Sequence, residues 1–216
     1  MSSPEKPTET PSWGEELANS ISHGVALGGA IAVTPILILV AVRHGSIIGI
    51  VAASVFGASM ILMYLMSTLY HSLPESRAKY IFNLLDHCAI YVLIAGTYTP
   101  FTLLVLKGGW GWTMFGVIWG LAIAGIVFKL IARLKFPVLS TVIYVLMGWV
   151  VVVAIKPLWE QLPLGGLIWL GAGGLSYMTG VIFFATEKLP YNHLIWHILV
   201  LAGTAFHFVA VIKYAI

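Results

Sequence analysis

The chain has 216 residues, of which 60% are hydrophobic and only 9% are charged. Soluble domains are nearer a quarter charged, so this composition excludes a soluble globular protein and marks a single compact membrane domain. The net charge of +3 matches the excess of loop lysines and arginines in helical membrane proteins and gives no ground for nucleic-acid binding; the single cysteine, Cys88, excludes an intrachain disulfide.

Residues 1–12 are rich in Ser, Pro, Thr and Glu and lack the basic-then-apolar order of a signal peptide. They read as a short disordered tail, with the first membrane span serving as its own insertion signal. Ser12 followed by Glu15 is a capping-box pattern for a helix that begins near Trp13. That helix can run along the membrane surface before turning in as the first span.

Seven apolar runs of roughly membrane length follow, at 21–42, 46–72, 82–106, 110–132, 137–156, 163–186 and 193–214. Strand-like alternation is absent, so the predicted class is all-α: a seven-helix transmembrane bundle over residues 13–216, with short loops joining antiparallel neighbours. Tyr80, Trp110, Trp112, Trp159 and Tyr191 lie at span boundaries as interfacial anchors. Pro35, Pro100 and Pro157 predict kinks, and the Gly24/Gly28 and Gly116/Gly120 spacings permit close helix contact.

Loop charge predicts the orientation. With the N-terminus in the cytoplasm, the inner segments hold Lys6, Arg77, Lys79, Lys129, Arg133, Lys135 and Lys188; the outer ones hold Arg43, Lys107, Lys156 and Lys213. The excess favours this topology and, with an odd number of spans, places the C-terminus outside. The expected location is a cell membrane crossed many times.

The ionisable residues near span ends carry the functional reading. His71 ends the second span, Asp86 and His87 open the third, and His193 and His197 open the seventh. An even-numbered span ends on the side where the next odd-numbered span begins. His71, Asp86, His193 and His197 are therefore expected at one level of the bundle, whichever way it is inserted. His193 and His197 are four apart and share a helical face. Ionisable groups within a membrane are costly unless something there uses them.

Three imidazoles beside the chain's only aspartate suit zinc (Zn2+), although Fe, Ni or Co also accept imidazole. A catalytic zinc commonly takes three protein ligands and a water whose pKa it lowers to about 7. His71, His193 and His197 are the expected ligands. Asp86 is expected to act on the water as base or orienter, and Ser67, one turn before His71, as a hydrogen-bond donor to a ligand or the water. A single buried histidine more often hydrogen-bonds a neighbouring helix. His207, about 15 Å beyond His197 by helix rise, reads that way. His87, directed away from the face of Asp86, and His44, in a loop at the far side, read as structural. Tyr91, Thr97 and Tyr98 face either a pocket or packing.

Several stretches resemble the hemolysin III family, the bacterial branch of the progestin and adipoQ receptor superfamily. They are Glu16-x-x-Asn19-x-x-Ser22-His23-x-x-x-x-Gly28, Ser67-x-x-x-His71, Asp86-His87 and His193-x-x-x-His197. Glu15 and Glu16 compete for the first position of the opening motif. Residues 16, 19 and 23 share a helical face, either as a polar cluster at the cytoplasmic mouth or as capping and interfacial anchoring. The resemblance implies a seven-helix fold with its N-terminus inside. It also implies zinc on His71, His193 and His197 supported by Asp86 and Ser67, and kinship to alkaline ceramidases.

The expected function is a metal-dependent hydrolase of lipid amide or ester bonds, with membrane lipids as its partners; the resemblance further implies a link to lipid or fluidity homeostasis. The alternatives are a receptor or sensor with a structural zinc and a pore-forming haemolysin-like protein. A pore wants several acidic groups or polar rings through the membrane, and Asp86 stands alone.

Overall fold

A computed structural model describes residues 11–186 and 189–216. The predicted tail (1–12) lies almost wholly outside the described residues, as does Lys188. Among the described residues there are seven helices long and apolar enough to cross a membrane, and no strand. They are α1 (Trp13–Arg43), α2 (Ile47–Ser72), α3 (Arg77–Leu106), α4 (Gly108–Ala132), α5 (Pro137–Gln161), α6 (Leu164–Phe184) and α7 (Asn192–Ala215).

Serines start three of these helices. The Ser12, Ser46 and Ser76 hydroxyls accept from the backbone N–H groups of Glu15, Gly49 and Lys79, filling donors that a helix start leaves open. At Ser12 the capping box is complete, because Glu15 Oε2 also accepts from the Ser12 backbone N–H at 2.8 Å. Proline at the first position of α5 does the corresponding work there, since its missing N–H would have been unpaired anyway.

α1 does not turn. It runs unbroken for 31 residues, about 46 Å by helix rise, and so exceeds the hydrocarbon thickness of about 30 Å. The capping box leads straight into the span. The first turns of α1, with Glu16, Asn19 and His23, therefore stand beside the end of α2 instead of lying flat on the membrane.

The prolines differ from one another. Pro35 sits inside uninterrupted α-helix. Pro100 marks the change in α3 from α-helix to a wider π-turn over Phe101–Leu106. α5 tightens to 3-10 geometry over Val150–Ala154, just before Pro157. Tyr98 covers that break: its hydroxyl donates to Gly148 O at 2.7 Å and accepts from the Val151 N–H at 2.8 Å. Tyr98 thus belongs to packing.

α3 is the most enclosed helix, with 67% of its most apolar stretch buried against 17% in α5 and α6. Small residues let α1, α2 and α3 approach closely: Ala26, Ala30, Ala52, Ala53, Ala89 and Ala95 are all buried. Of the predicted glycine positions only Gly24 faces a neighbouring helix, where a methyl would lie 3.7 Å from the Thr68 methyl of α2. A methyl group at Gly28, Gly116 or Gly120 would meet nothing within 4 Å. The close approaches fall elsewhere: a methyl at Gly125 would strike the Tyr91 ring, and one at Gly173 would strike His207.

Candidate metal centre

Three helices bring the polar side chains together at the end of the bundle where α2 stops and α3 and α7 start. His71 lies one residue from the end of α2, His193 in the first turn of α7, and His197 one turn further in. Each offers one ring nitrogen, and the three nitrogens lie within 4.8 Å of one another. The ring centroids are 4.6–5.0 Å apart. His71 and His197 are buried and His193 nearly so.

Their hydrogen bonds decide which nitrogen each ring leaves open. His71 Nδ1 lies 2.6 Å from Glu16 Oε2, a carboxylate that accepts, so Nδ1 carries the proton and Nε2 keeps its lone pair. That Nε2 is buried without a partner among the described residues. His197 Nδ1 faces the Asn19 carbonyl at 3.3 Å and Ser22 Oγ at 3.1 Å. Because the Ser22 hydroxyl already donates to the Asn19 carbonyl at 2.8 Å, His197 Nδ1 is again the donor and Nε2 is the free nitrogen. His193 Nε2 is likewise buried and unpartnered. Fixing the tautomer through the outer nitrogen is how proteins orient metal-ligating histidines. This donor set fits zinc.

Glu16 is held from its other side. Lys79 Nζ donates to Glu16 Oε1 at 2.9 Å and to Leu73 O at 3.2 Å, with Glu75 3.5 Å away. A chain of charge-assisted bonds therefore runs from Lys79 through Glu16 to His71. The two adjacent glutamates have separate tasks. Glu15 closes the cap and accepts from the Tyr191 N–H at 3.0 Å, which ties the start of α1 to the start of α7. Glu16 takes the first position of the opening motif and faces the histidines.

Asp86 is buried beside the cluster, and its Oδ1 has no partner among the described residues. It is not one of the group whose donor atoms lie within 4.8 Å of one another. Ser67 is the polar neighbour of Asp86, and its hydroxyl is hydrogen-bonded to His23 Nδ1 at 2.7 Å. His23, which the span counting left unassigned, is fully buried and stacks on His197 with centroids 3.5 Å apart. The opening motif and the shared helical face of residues 16, 19 and 23 were the sequence signals for these contacts.

The other histidines are not part of this group. His207 Nε2 donates to the Leu170 carbonyl at 3.1 Å, joining α7 to α6. His44 Nδ1 donates to the Ile216 carbonyl at 2.7 Å. His87 Nδ1 has no partner among the described residues, and the backbone carbonyl of His87 accepts from Tyr144.

Seven membrane-length helices around a histidine cluster near one end define a multi-pass membrane protein with a candidate metal centre. The chain belongs to the haemolysin-III related family, whose model matches residues 11–208. It is 50% identical over 202 residues to "Hemolysin-3" of Bacillus cereus, covering 94% of this chain and 92% of that one. The "Hemolysin-3 homolog" of Bacillus subtilis (strain 168) is 46% identical over 202 residues, covering 94% and 95%. The "Monocyte to macrophage differentiation factor" of Homo sapiens is more distant, 28% identical over 170 residues and covering 76% and 70%.

Proposed function

We propose that this protein is a zinc-dependent membrane hydrolase acting on an amide or ester bond of a lipid, with the metal centre at the cytoplasmic face of a bacterial inner membrane. The observation that carries the reading is the convergence of three imidazoles, two of them locked by their outer nitrogens, beside a buried carboxylate with an unpaired oxygen. His71, His193 and His197 would hold the ion. When bound, zinc supplies a Lewis acid for a carbonyl oxygen and lowers the pKa of a water.

The remaining work falls to the chain. Glu16 and Lys79 fix the ring of His71, and the Asn19 carbonyl with Ser22 fixes that of His197. Asp86 accepts the proton that a water gives up on attacking the carbonyl and passes it to the leaving amine or alcohol. Ser67, anchored by His23, sets the direction in which Asp86 faces. The apolar surround limits bulk water while a lipid enters from the bilayer.

A second reading, a receptor or sensor with structural zinc, draws on one feature. The ligands lie on α2 and α7 and their hydrogen-bond partners on α1, so a bound ion would clamp three helices. Metal content and lipid amide hydrolysis of the purified protein in detergent separate the two, with Asp86→Asn and His197→Ala alongside. Metal retained but turnover lost in Asp86→Asn supports the hydrolase. Turnover in no preparation, with unfolding on chelation, supports the clamp. Haemolysis, which the names of the Bacillus relatives evoke, is measured on the same samples; lysis that survives His197→Ala would belong to neither.

A further inference from the structure

The corner between α4 and α5 lies, by helix parity, at the same end of the bundle as the histidine cluster but takes no part in it. From residue 87 to residue 159 the chain has no acidic side chain, while Lys129, Arg133 and Lys135 crowd this corner. Arg133 and Lys135 are exposed and make no ion pair among the described residues. Arg133 also holds a φ of 55°, a conformation that glycine tolerates and arginine rarely adopts. The turn thus keeps a cation where a glycine would be less strained.

Beside these charges lies an open, mostly apolar surface formed by Lys135, Phe136, Pro137, Val138, Leu139 and Val142, all from one stretch of chain. This surface is braced from inside. Buried Lys129 donates to Ser140 Oγ at 3.2 Å, and the Ser140 hydroxyl donates to the Phe136 carbonyl at 3.1 Å. The surface is therefore cationic at one end and apolar along the rest, with Phe136, Val138, Leu139 and Val142 exposed. A small anion could use only the cationic end. A zwitterionic headgroup would bring an ammonium that finds no carboxylate on this stretch.

We propose that the α4–α5 corner binds an anionic phospholipid, its phosphate held by Arg133 and Lys135 and an acyl chain lying along Phe136, Val138 and Val142. Each basic residue near an anionic lipid surface contributes roughly fivefold in affinity, so removing two costs about thirtyfold. The interaction weakens as salt rises, since both cations are exposed.

Native mass spectrometry of the full chain in detergent, with phosphatidylglycerol or phosphatidylcholine added, tests this directly. The expected result is selective retention of phosphatidylglycerol, reduced about thirtyfold in R133Q/K135Q and unchanged in K107Q/K156Q at the opposite end. K135Q alone, with a loss of about fivefold, covers the case in which the double variant does not fold. Equal retention of both lipids, or selectivity that survives removal of the two cations, would overturn the proposal. So would complete displacement by glycerol phosphate at equal concentration, which would make this a site for a free anion.

Discussion

Replacing Glu16 with Gln probes the hydrogen-bonded support of the candidate metal centre without touching a proposed ligand. The wild-type carboxylate accepts from His71 Nδ1 at 2.6 Å and from Lys79 Nζ at 2.9 Å, and only 15% of its side chain is exposed. Glutamine keeps the shape and one acceptor but loses the charge. A hydrogen bond to a charged group contributes about 1.5–3 kcal/mol against about 1 kcal/mol for a neutral one, so each bond weakens by roughly 1 kcal/mol. The His71 bond is the one linked to the ion, and 1.4 kcal/mol is about tenfold in affinity. A loss of roughly 1 kcal/mol is about fivefold, so Glu16→Gln is expected to bind zinc about fivefold more weakly, just under the roughly tenfold lower end for partners of metal-bound histidines. Glu16→Ala, which leaves His71 without an acceptor, approaches the upper end of about a hundredfold. Competitive titration against a chromogenic chelator in detergent measures both. Zinc affinity within twofold of wild type for Glu16→Ala, alongside lost binding in His71→Ala, would refute the role given to Glu16.

Ser12→Ala removes the cap of α1 and should lower stability by about 1 kcal/mol in thermal melts. Gly125→Ala forces a methyl into the Tyr91 ring and is expected to destabilise by about 1–3 kcal/mol. Gly116→Ala meets nothing within 4 Å and should be neutral or stabilising by up to about 1 kcal/mol, so the two melting temperatures should move apart. Tyr98→Phe strips the hydroxyl from the break in α5 and leaves the Val151 N–H without its acceptor, costing about 1–3 kcal/mol. An unchanged melt would mean that another group satisfies that N–H.

The seven spans were legible because each is a local property, a run of apolar residues as long as a bilayer is thick. The level shared by His71, His193 and His197 was legible too, since it follows from counting helices and needs no knowledge of packing. The course of α1 was not legible. A capped amphipathic start is equally compatible with a surface helix and with a straight extension, and only the partners offered by α2 and α7 choose between them. Gly116/Gly120 failed as a contact signal, and Gly24/Gly28 met a neighbour at Gly24 alone, for a related reason: spacing places two glycines on one face but does not say which face meets a neighbour.

By itself, then, the sequence determined the class of protein, the number of spans, and the end of the bundle at which the imidazoles gather. Tertiary structure alone decided that Glu16 and not Glu15 orients His71, that His23 stacks on His197 and anchors Ser67, and that Asp86 lies outside the group of three imidazoles. The physical reason is that chain order and helix rise fix how deep a side chain sits. The direction in which it points depends on how each helix is rotated about its own axis, and that rotation is set by packing against residues far away in the chain.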